Sequence, residues 1–179
     1  MHLAPLVLTT GEPAGIGPDL IVFLAANQQL KNTIVIADPE LLTERAKLLG
    51  LSINIQECPI ECDLVFTDPD TLFVHPVSCA VKTEVGKINI ENSAYVLECL
   101  NIALHSCLNK QSSAMVTAPV HKKAIHDAGF EFTGHTYWLA EQSQCDLDQV
   151  VMLLVSQLLK VALVTTHLPL RAVADAINH

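Results

Sequence analysis

Positive charge is scarce in this sequence. Ten Lys and Arg stand against 19 Asp and Glu, for a formal net charge of −9, and no basic cluster exceeds Lys122-Lys123. A nucleic-acid-binding surface needs a stripe of Lys and Arg to neutralise phosphates, so that class of partner is excluded. Long apolar runs are missing as well. The most hydrophobic late stretch, residues 150–166, is interrupted by Ser156, Gln157 and Lys160, and falls short of the roughly 18–20 apolar residues that span a bilayer. The opening Met1-His2-Leu3-Ala4-Pro5-Leu6-Val7-Leu8 carries no Lys or Arg and is broken by Pro5, unlike a secretory signal. Cysteine pairs are absent too: the six cysteines contain no CxxC and are too sparse for a disulfide scaffold. They read as reduced thiols, mostly small core hydrophobes, in a soluble, cytoplasmic protein with no membrane partner. Cys58-x3-Cys62 could be half of a zinc site, but no second Cys or His pair completes it.

What is present is a chain of 179 residues, half of them hydrophobic, enough to bury the core of one domain. Residues 5–10 read as a short buried strand, and Pro18-Asp19 opens an apolar helix over 20–26 with Pro18 at its first position. The β-branched run 33–37 predicts a second strand. Asp38 then caps a helix that starts at Pro39 and ends at Gly50. Apolar pieces at 53–55, 64–66 and 72–74, separated by prolines, predict short strands and loops. Ile90, Ala94, Leu97, Leu100, Leu104 and Leu108 recur at helical spacing and predict one amphipathic helix over about 89–108. A strand at 114–118 is followed by a helical stretch that stops at Gly129. Residues 150–155 and 158–166 read as a strand pair feeding the core, and a helical pattern begins at Pro169. Alternating strands and helices indicate an α/β fold with a mixed, largely parallel sheet and flanking helices.

Four segments could carry chemistry. Gly11-Glu12-Pro13-Ala14-Gly15-Ile16-Gly17-Pro18-Asp19 sits where a strand hands over to a helix, the place at which α/β folds bind ligands. Gly15 and Gly17 allow close backbone approach, yet a third glycine at the dinucleotide-fingerprint offset is lacking, and Ile16 stands where a phosphate-binding loop would need glycine. A plain tight turn is the competing reading. Thr133-Gly134-His135-Thr136 precedes a short helix at 137–142. It is either an anion cradle built on free amides or a Thr cap beside a surface histidine. Thr165-Thr166-His167-Leu168-Pro169 puts a histidine at a strand end, where it is either a metal ligand or a hydrogen-bonded core group. Lys122, at a strand-to-helix junction, could contact phosphate, while Lys123 reads as solvated. His121 and His126 lie five residues apart, roughly 140° around a helix, and cannot easily chelate one ion together.

Taken in order, Thr10 to Asp19, Thr117-Ala118-Pro119-Val120-His121-Lys122, Phe132-Thr133-Gly134-His135-Thr136 and Thr165-Thr166-His167-Leu168-Pro169-Leu170 resemble the four signatures of the 4-hydroxythreonine-4-phosphate dehydrogenases of vitamin B6 biosynthesis. The resemblance implies a fold like the isocitrate and isopropylmalate dehydrogenases and a homodimer whose active site lies where two subunits meet. It implies that His135 and Thr136 bind the phosphorylated substrate and that His167 is the first of three histidines holding zinc, magnesium or cobalt. The implied reaction is NAD- or NADP-dependent oxidation of 4-phosphohydroxy-L-threonine to a β-keto acid. That acid decarboxylates to 3-amino-2-oxopropyl phosphate, with the metal lowering the pKa of the alcohol. Family members commonly carry glutamate directly after Gly-His-Thr, where this chain has Tyr137. Residues 1–179 are expected to be the N-terminal portion of such an enzyme, ending inside an element and inactive alone. Two alternatives stand beside that reading, a dehydrogenase of a related four-carbon acid phosphate and a non-catalytic phosphate-ligand-binding fragment.

Overall fold

The computed structural model describes residues 4–61, 71–166 and 168–177, which fall into two compact units, 1–133 and 134–179. The apolar piece at 64–66, Cys62 and His167 lie outside the described residues.

In the first unit, β1 (Leu6–Thr9) leads to α1 (Gly17–Ala26), β2 (Thr33–Ala37), α2 (Pro39–Leu49), β3 (Asn54–Glu57), β4 (Thr71–Pro76), α3 (Ser93–Leu108), β5 (Ala114–Thr117) and α4 (Lys122–Asp127). The five strands form one sheet in the order β3-β4-β2-β1-β5, and every pairing is parallel. A parallel sheet covered on both faces needs apolar side chains at successive positions, and β2 is buried along its whole length. Leu8, Val35, Ala37, Leu72 and Val74 pack with Ile21 and Val22 of α1 and Leu42 and Ala46 of α2. The alternate positions Val7, Ile34 and Ile36 are fully buried on the face that α3 covers through β1, β2 and β5. Val96, Cys99, Leu100, Ala103 and Leu104 give α3 its buried stripe at 3.6-residue spacing.

Helix ends follow from local chemistry. Asp38 Oδ1 accepts the amides of Glu40 (2.8 Å) and Leu41 (3.3 Å), Pro39 occupies the first turn, and Gly50 closes α2 at φ 66°. α1 begins one residue earlier than expected, at Gly17, so Pro18 is its second residue. The helix expected over 89–108 opens instead with a 3₁₀ turn, Ile90–Asn92, capped by the Asn89 side chain. Asn92, which could have capped α3, directs its amide to Val81, accepting from the Val81 N–H (3.0 Å) and donating to its carbonyl (3.1 Å).

The second unit contains α5 (His135–Gln142), a 3₁₀ turn at Leu147–Gln149, the antiparallel pair β6 (Leu153–Val155) and β7 (Lys160–Ala162), and α6 (Leu170–Ala176). The strand pair forms as the sequence suggests. Its placement differs: both strands are exposed throughout, and Leu158 is 97% exposed, so the hairpin does not feed the core. The reason is topological. Three-residue strands joined through Ser156, whose Oγ accepts the Leu158 and Leu159 amides, form a two-stranded sheet of their own. Among the described residues no helix is long and apolar enough to cross a membrane.

Candidate functional site

After β1 the chain crosses to β2 on one side, while β5 later pairs on the other side of β1. The crevice beyond the carboxyl ends of β1 and β5 is therefore the switch point at which open parallel sheets take their ligands. Two of the four sequence signatures meet there. Gly11, at φ 66°, brings its backbone so near the 118–119 turn that a Cβ would lie 2.2 Å from the Pro119 carbonyl oxygen, and the Glu12 amide donates to that same oxygen at 2.9 Å. A Cβ on Gly17 would lie 1.9 Å from the Thr10 carbonyl oxygen. Gly15 closes a tight turn, donating to the Glu12 carbonyl at 2.9 Å. These glycines thus serve contacts within the protein that larger residues would break.

Three side chains fix this loop. Glu12 is buried and its Oε1 accepts the Ala14 amide at 3.1 Å. Arg45, on α2 and only 3% exposed, pairs with Asp19 in the first turn of α1 and donates to the Pro13 carbonyl at 2.9 Å. Tyr95 of α3 shares a 2.7 Å hydrogen bond with Thr10 Oγ1 and accepts from the Asp38 amide at 3.4 Å. Burial holds its phenol well above the ordinary tyrosine pKa. Asp38 Oδ2 accepts the Cys79 amide at 2.8 Å. Burial, then the Asp38 charge, push the Cys79 thiol up to about 12, and burial likewise raises Cys99. These are protonated structural thiols rather than nucleophiles.

The loop and the turn border an open pocket of about 250 Å3 whose lining includes Glu12, Gly15, Ile16, Ile88, Val120 and His121. The segment before Ile88 is anchored to it by the Gly86 amide, which donates to the Ala14 carbonyl at 2.9 Å. Gly15 lines this pocket, Gly17 supports it from beneath, and Lys122 is exposed on the first turn of α4 and does not line it. The residue that does is His121, the cap of α4, whose Nδ1 accepts the Ala124 amide at 3.1 Å. His126 is 83% exposed and Lys123 pairs with Asp127 at 2.5 Å, both away from the pocket. Glu12, Arg45 and His121, which the structure brings to this loop and pocket, were not singled out as site residues in the sequence. The available signal was His121 itself, an imidazole at the last position before a helix, where an acceptor side chain is expected.

In the second unit, α5 starts at His135, two residues before the sequence suggests, with Gly134 (φ 142°) rather than Thr133 as the cap. The first helical bond runs from the Trp138 amide to the Gly134 carbonyl at 3.0 Å, which places His135 and Thr136 in the first turn of the helix. His135 is half-buried and Thr136 exposed. The structure does not describe His167, the expected metal ligand. Among the described residues no three His, Cys, Asp or Glu side chains stand together as a metal site.

Residues 29–179 match the family model described as "Pyridoxal phosphate biosynthetic protein PdxA". The chain belongs to the PdxA family. It is 46% identical, over 97% of its length, to the 4-hydroxythreonine-4-phosphate dehydrogenase of Salmonella arizonae, and 45% identical over the same share to that of Erwinia tasmaniensis. It spans 52% of each of these two relatives, about half the length of the curated proteins it matches. Its fold is similar to that of the Klebsiella pneumoniae 4-hydroxythreonine-4-phosphate dehydrogenase, with a TM-score of 0.88 and 28% identity over 98% of this chain and 55% of that one. The α/β architecture expected from the sequence is therefore that of the PdxA dehydrogenases.

Proposed function

We propose that this chain carries part of the active site of an NAD- or NADP-dependent dehydrogenase that oxidises 4-phosphohydroxy-L-threonine in pyridoxal phosphate biosynthesis. The observation that carries the proposal is the match, along 97% of the chain, to relatives named for that activity. His135 and Thr136 are the substrate contacts in this reading. In the first turn of α5 the Thr136 hydroxyl and the helix dipole favour an anion, the chemistry needed to hold a phosphoryl group.

A divalent cation such as zinc, magnesium or cobalt would supply a Lewis acid that makes the substrate alcohol acidic, and a nicotinamide cofactor would supply the hydride acceptor. His167 is the proposed ligand in this chain. The start of α5 would hold the phosphoryl end of the substrate. A cytoplasmic homodimer is part of the same proposal, as is the expectation that residues 1–179 alone do not turn over.

The test is reduction of NAD or NADP on addition of 4-phosphohydroxy-L-threonine, with and without chelator, for this chain and for a version extended to the length of its relatives. The extended protein should turn over only with metal and the short chain not at all. No turnover by either, with metal present, would sink the proposal.

One feature favours a second reading. Tyr137, half-exposed in the first turn of α5, removes the negative charge that the resemblance leads one to expect beside the substrate. A related four-carbon acid phosphate would then be the substrate, and relative kcat/KM for the two compounds in the extended protein decides between them. Titration of this chain with either phosphate compound separates both from a non-catalytic binding fragment, which would bind without any dependence on metal.

A further inference from the structure

Three walls border the pocket at the β1/β5 crevice, and they are held very differently. Two are fixed. The 12–16 loop is tied to the 118–119 turn by the Glu12 amide on the Pro119 carbonyl (2.9 Å) and by the close approach at Gly11. The buried Arg45, donating to the Pro13 carbonyl at 2.9 Å, ties the same loop to α2. The turn is fastened to β1 by the Ala118 amide on the Thr9 carbonyl (3.2 Å) and runs straight into α4, whose cap is His121.

The third wall is the segment 82–91, which supplies Gly86 and Ile88 to the lining. Every residue from Glu84 to Glu91 is exposed. The ends of the segment are clasped together by Asn92, a buried side chain that accepts the Val81 N–H (3.0 Å) and donates to the Val81 carbonyl (3.1 Å). A surface loop whose ends meet in this way can move as a unit. Its tip is a tight turn in which the Lys87 amide donates to the Glu84 carbonyl at 3.0 Å, with Gly86 at φ 75°. From that tip one backbone hydrogen bond, Gly86 N–H to the Ala14 carbonyl (2.9 Å), reaches the fixed 12–16 loop. Lys82 pairs with Glu44 at 2.5 Å, but its side chain is 78% exposed, where such a pair is screened and contributes little. A segment with so little burial opens at a far lower free energy than the domain unfolds. It also carries apolar side chains in water: Val85, Ile88 and Ile90 are 48%, 43% and 47% exposed, and Ile16 across the pocket is 59% exposed. Bringing such side chains together over a filled crevice removes apolar surface from water and favours closure.

We propose that residues 82–91 form a gate to the crevice. The segment turns about the Asn92–Val81 clasp, opens by breaking the Gly86–Ala14 hydrogen bond, and closes by remaking it with Ile88 over the pocket. The motion itself is independent of the reaction. Its use as a gate rests on the dehydrogenase reading above, in which a ligand enters the crevice and water is then kept from it.

Residue-resolved amide exchange of the 179-residue protein, followed at several low urea concentrations, tests the motion. Relative to its unprotected rate, the Gly86 amide should exchange faster than the Glu12 and Ala118 amides by at least about a hundredfold. Its exchange should also be nearly insensitive to urea, because the opening exposes little surface. Ile34→Val, a mild change in the core strand β2, supplies the control. It should speed exchange at Glu12 and Ala118 by about two- to tenfold and leave Gly86 unchanged, since the open and closed gate share the same core. If Gly86 follows Glu12 and Ala118 in urea dependence or in the variant, the segment opens only with the domain and the inference is overturned. The use of the gate is tested by adding saturating NAD+ or 4-phosphohydroxy-L-threonine, at least one of which should slow Gly86 exchange further. If neither does, the gating role is overturned, and turnover by the extended protein still decides the dehydrogenase reading separately.

Discussion

Arg45 is the side chain whose removal should most damage the β1/β5 crevice without touching the pocket. Its guanidinium is buried, pairs with Asp19 and donates to the Pro13 carbonyl at 2.9 Å, so it holds both ends of the 13–19 turn against α2. Replacing it by methionine keeps much of the apolar stem and deletes the charge. Breaking a buried pair by removing one partner costs about 3–5 kcal/mol. Asp19 is 29% exposed and sits in the first turn of α1, where a helix dipole favours a carboxylate, which places the expected loss near the lower bound, about 3 kcal/mol. For a chain of this size that corresponds to a fall in Tm of roughly 6–12 °C. Urea denaturation of Arg45→Met, Asp19→Asn and the double variant gives the coupling directly, and it should be at least about 1 kcal/mol, because the two side chains are in contact. A single-variant loss under about 0.5 kcal/mol, the range of ordinary surface substitutions, would refute the view that this pair anchors the loop.

Gly11 and Gly50 share φ 66°, but a Cβ at Gly11 meets the Pro119 carbonyl at 2.2 Å whereas one at Gly50 meets nothing within 4 Å. Gly50→Ala should cost about 1–2 kcal/mol of left-handed strain, and Gly11→Ala clearly more; equal losses by denaturant titration would contradict the close approach. Tyr95→Phe removes the 2.7 Å bond to Thr10 Oγ1 and leaves that buried hydroxyl short of a partner, for an expected loss of about 1–3 kcal/mol, with no loss counting against the network. Native Cys79 keeps its proton up to about 12, against an ordinary value of 9.0. The unfolded chain therefore ionises first, and stability, unaffected below about pH 9, should fall as pH rises through the interval up to the folded value. Denaturation midpoints at about pH 8 and about pH 10.5 should show a decline that Cys79→Ala reduces; an unchanged decline would assign it elsewhere.

Much of the first unit was legible because local and global signals coincide there. The β-branched run 33–37 is β2 residue for residue, and Asp38, Pro39 and Gly50 mark both ends of α2. The existence of α3 is legible from apolar spacing, but its buried face is not the expected one: of that stripe Leu100 and Leu104 are buried, whereas Ile90, Ala94 and Leu108 are exposed, and the 3₁₀ start was hidden because Asn92 serves Val81 rather than the helix. Residues whose role depends on distant partners were not legible. Arg45 reads as one more polar residue of α2 until Asp19, 26 positions away, is brought beside it. The hairpin at 153–162 has the composition of a core strand pair and the exposure of a surface one, since an apolar run states that burial is favourable but not what provides it. In the candidate site, the position of the glycine loop was readable from a strand-to-helix handover. The choice of His121 over Lys122 was not, because it depends on which side of the 119–122 turn faces the 12–16 loop.

The most direct measurement of the central claim, that ligand binds at the β1/β5 crevice and at the start of α5, is amide hydrogen exchange with and without NAD+ and 4-phosphohydroxy-L-threonine. Added protection is expected at 135–137 on adding the phosphorylated compound, and at the crevice segments 12–17 and 120–124 with one of the two ligands. Protection confined to other segments, or none at saturating ligand, would contradict it.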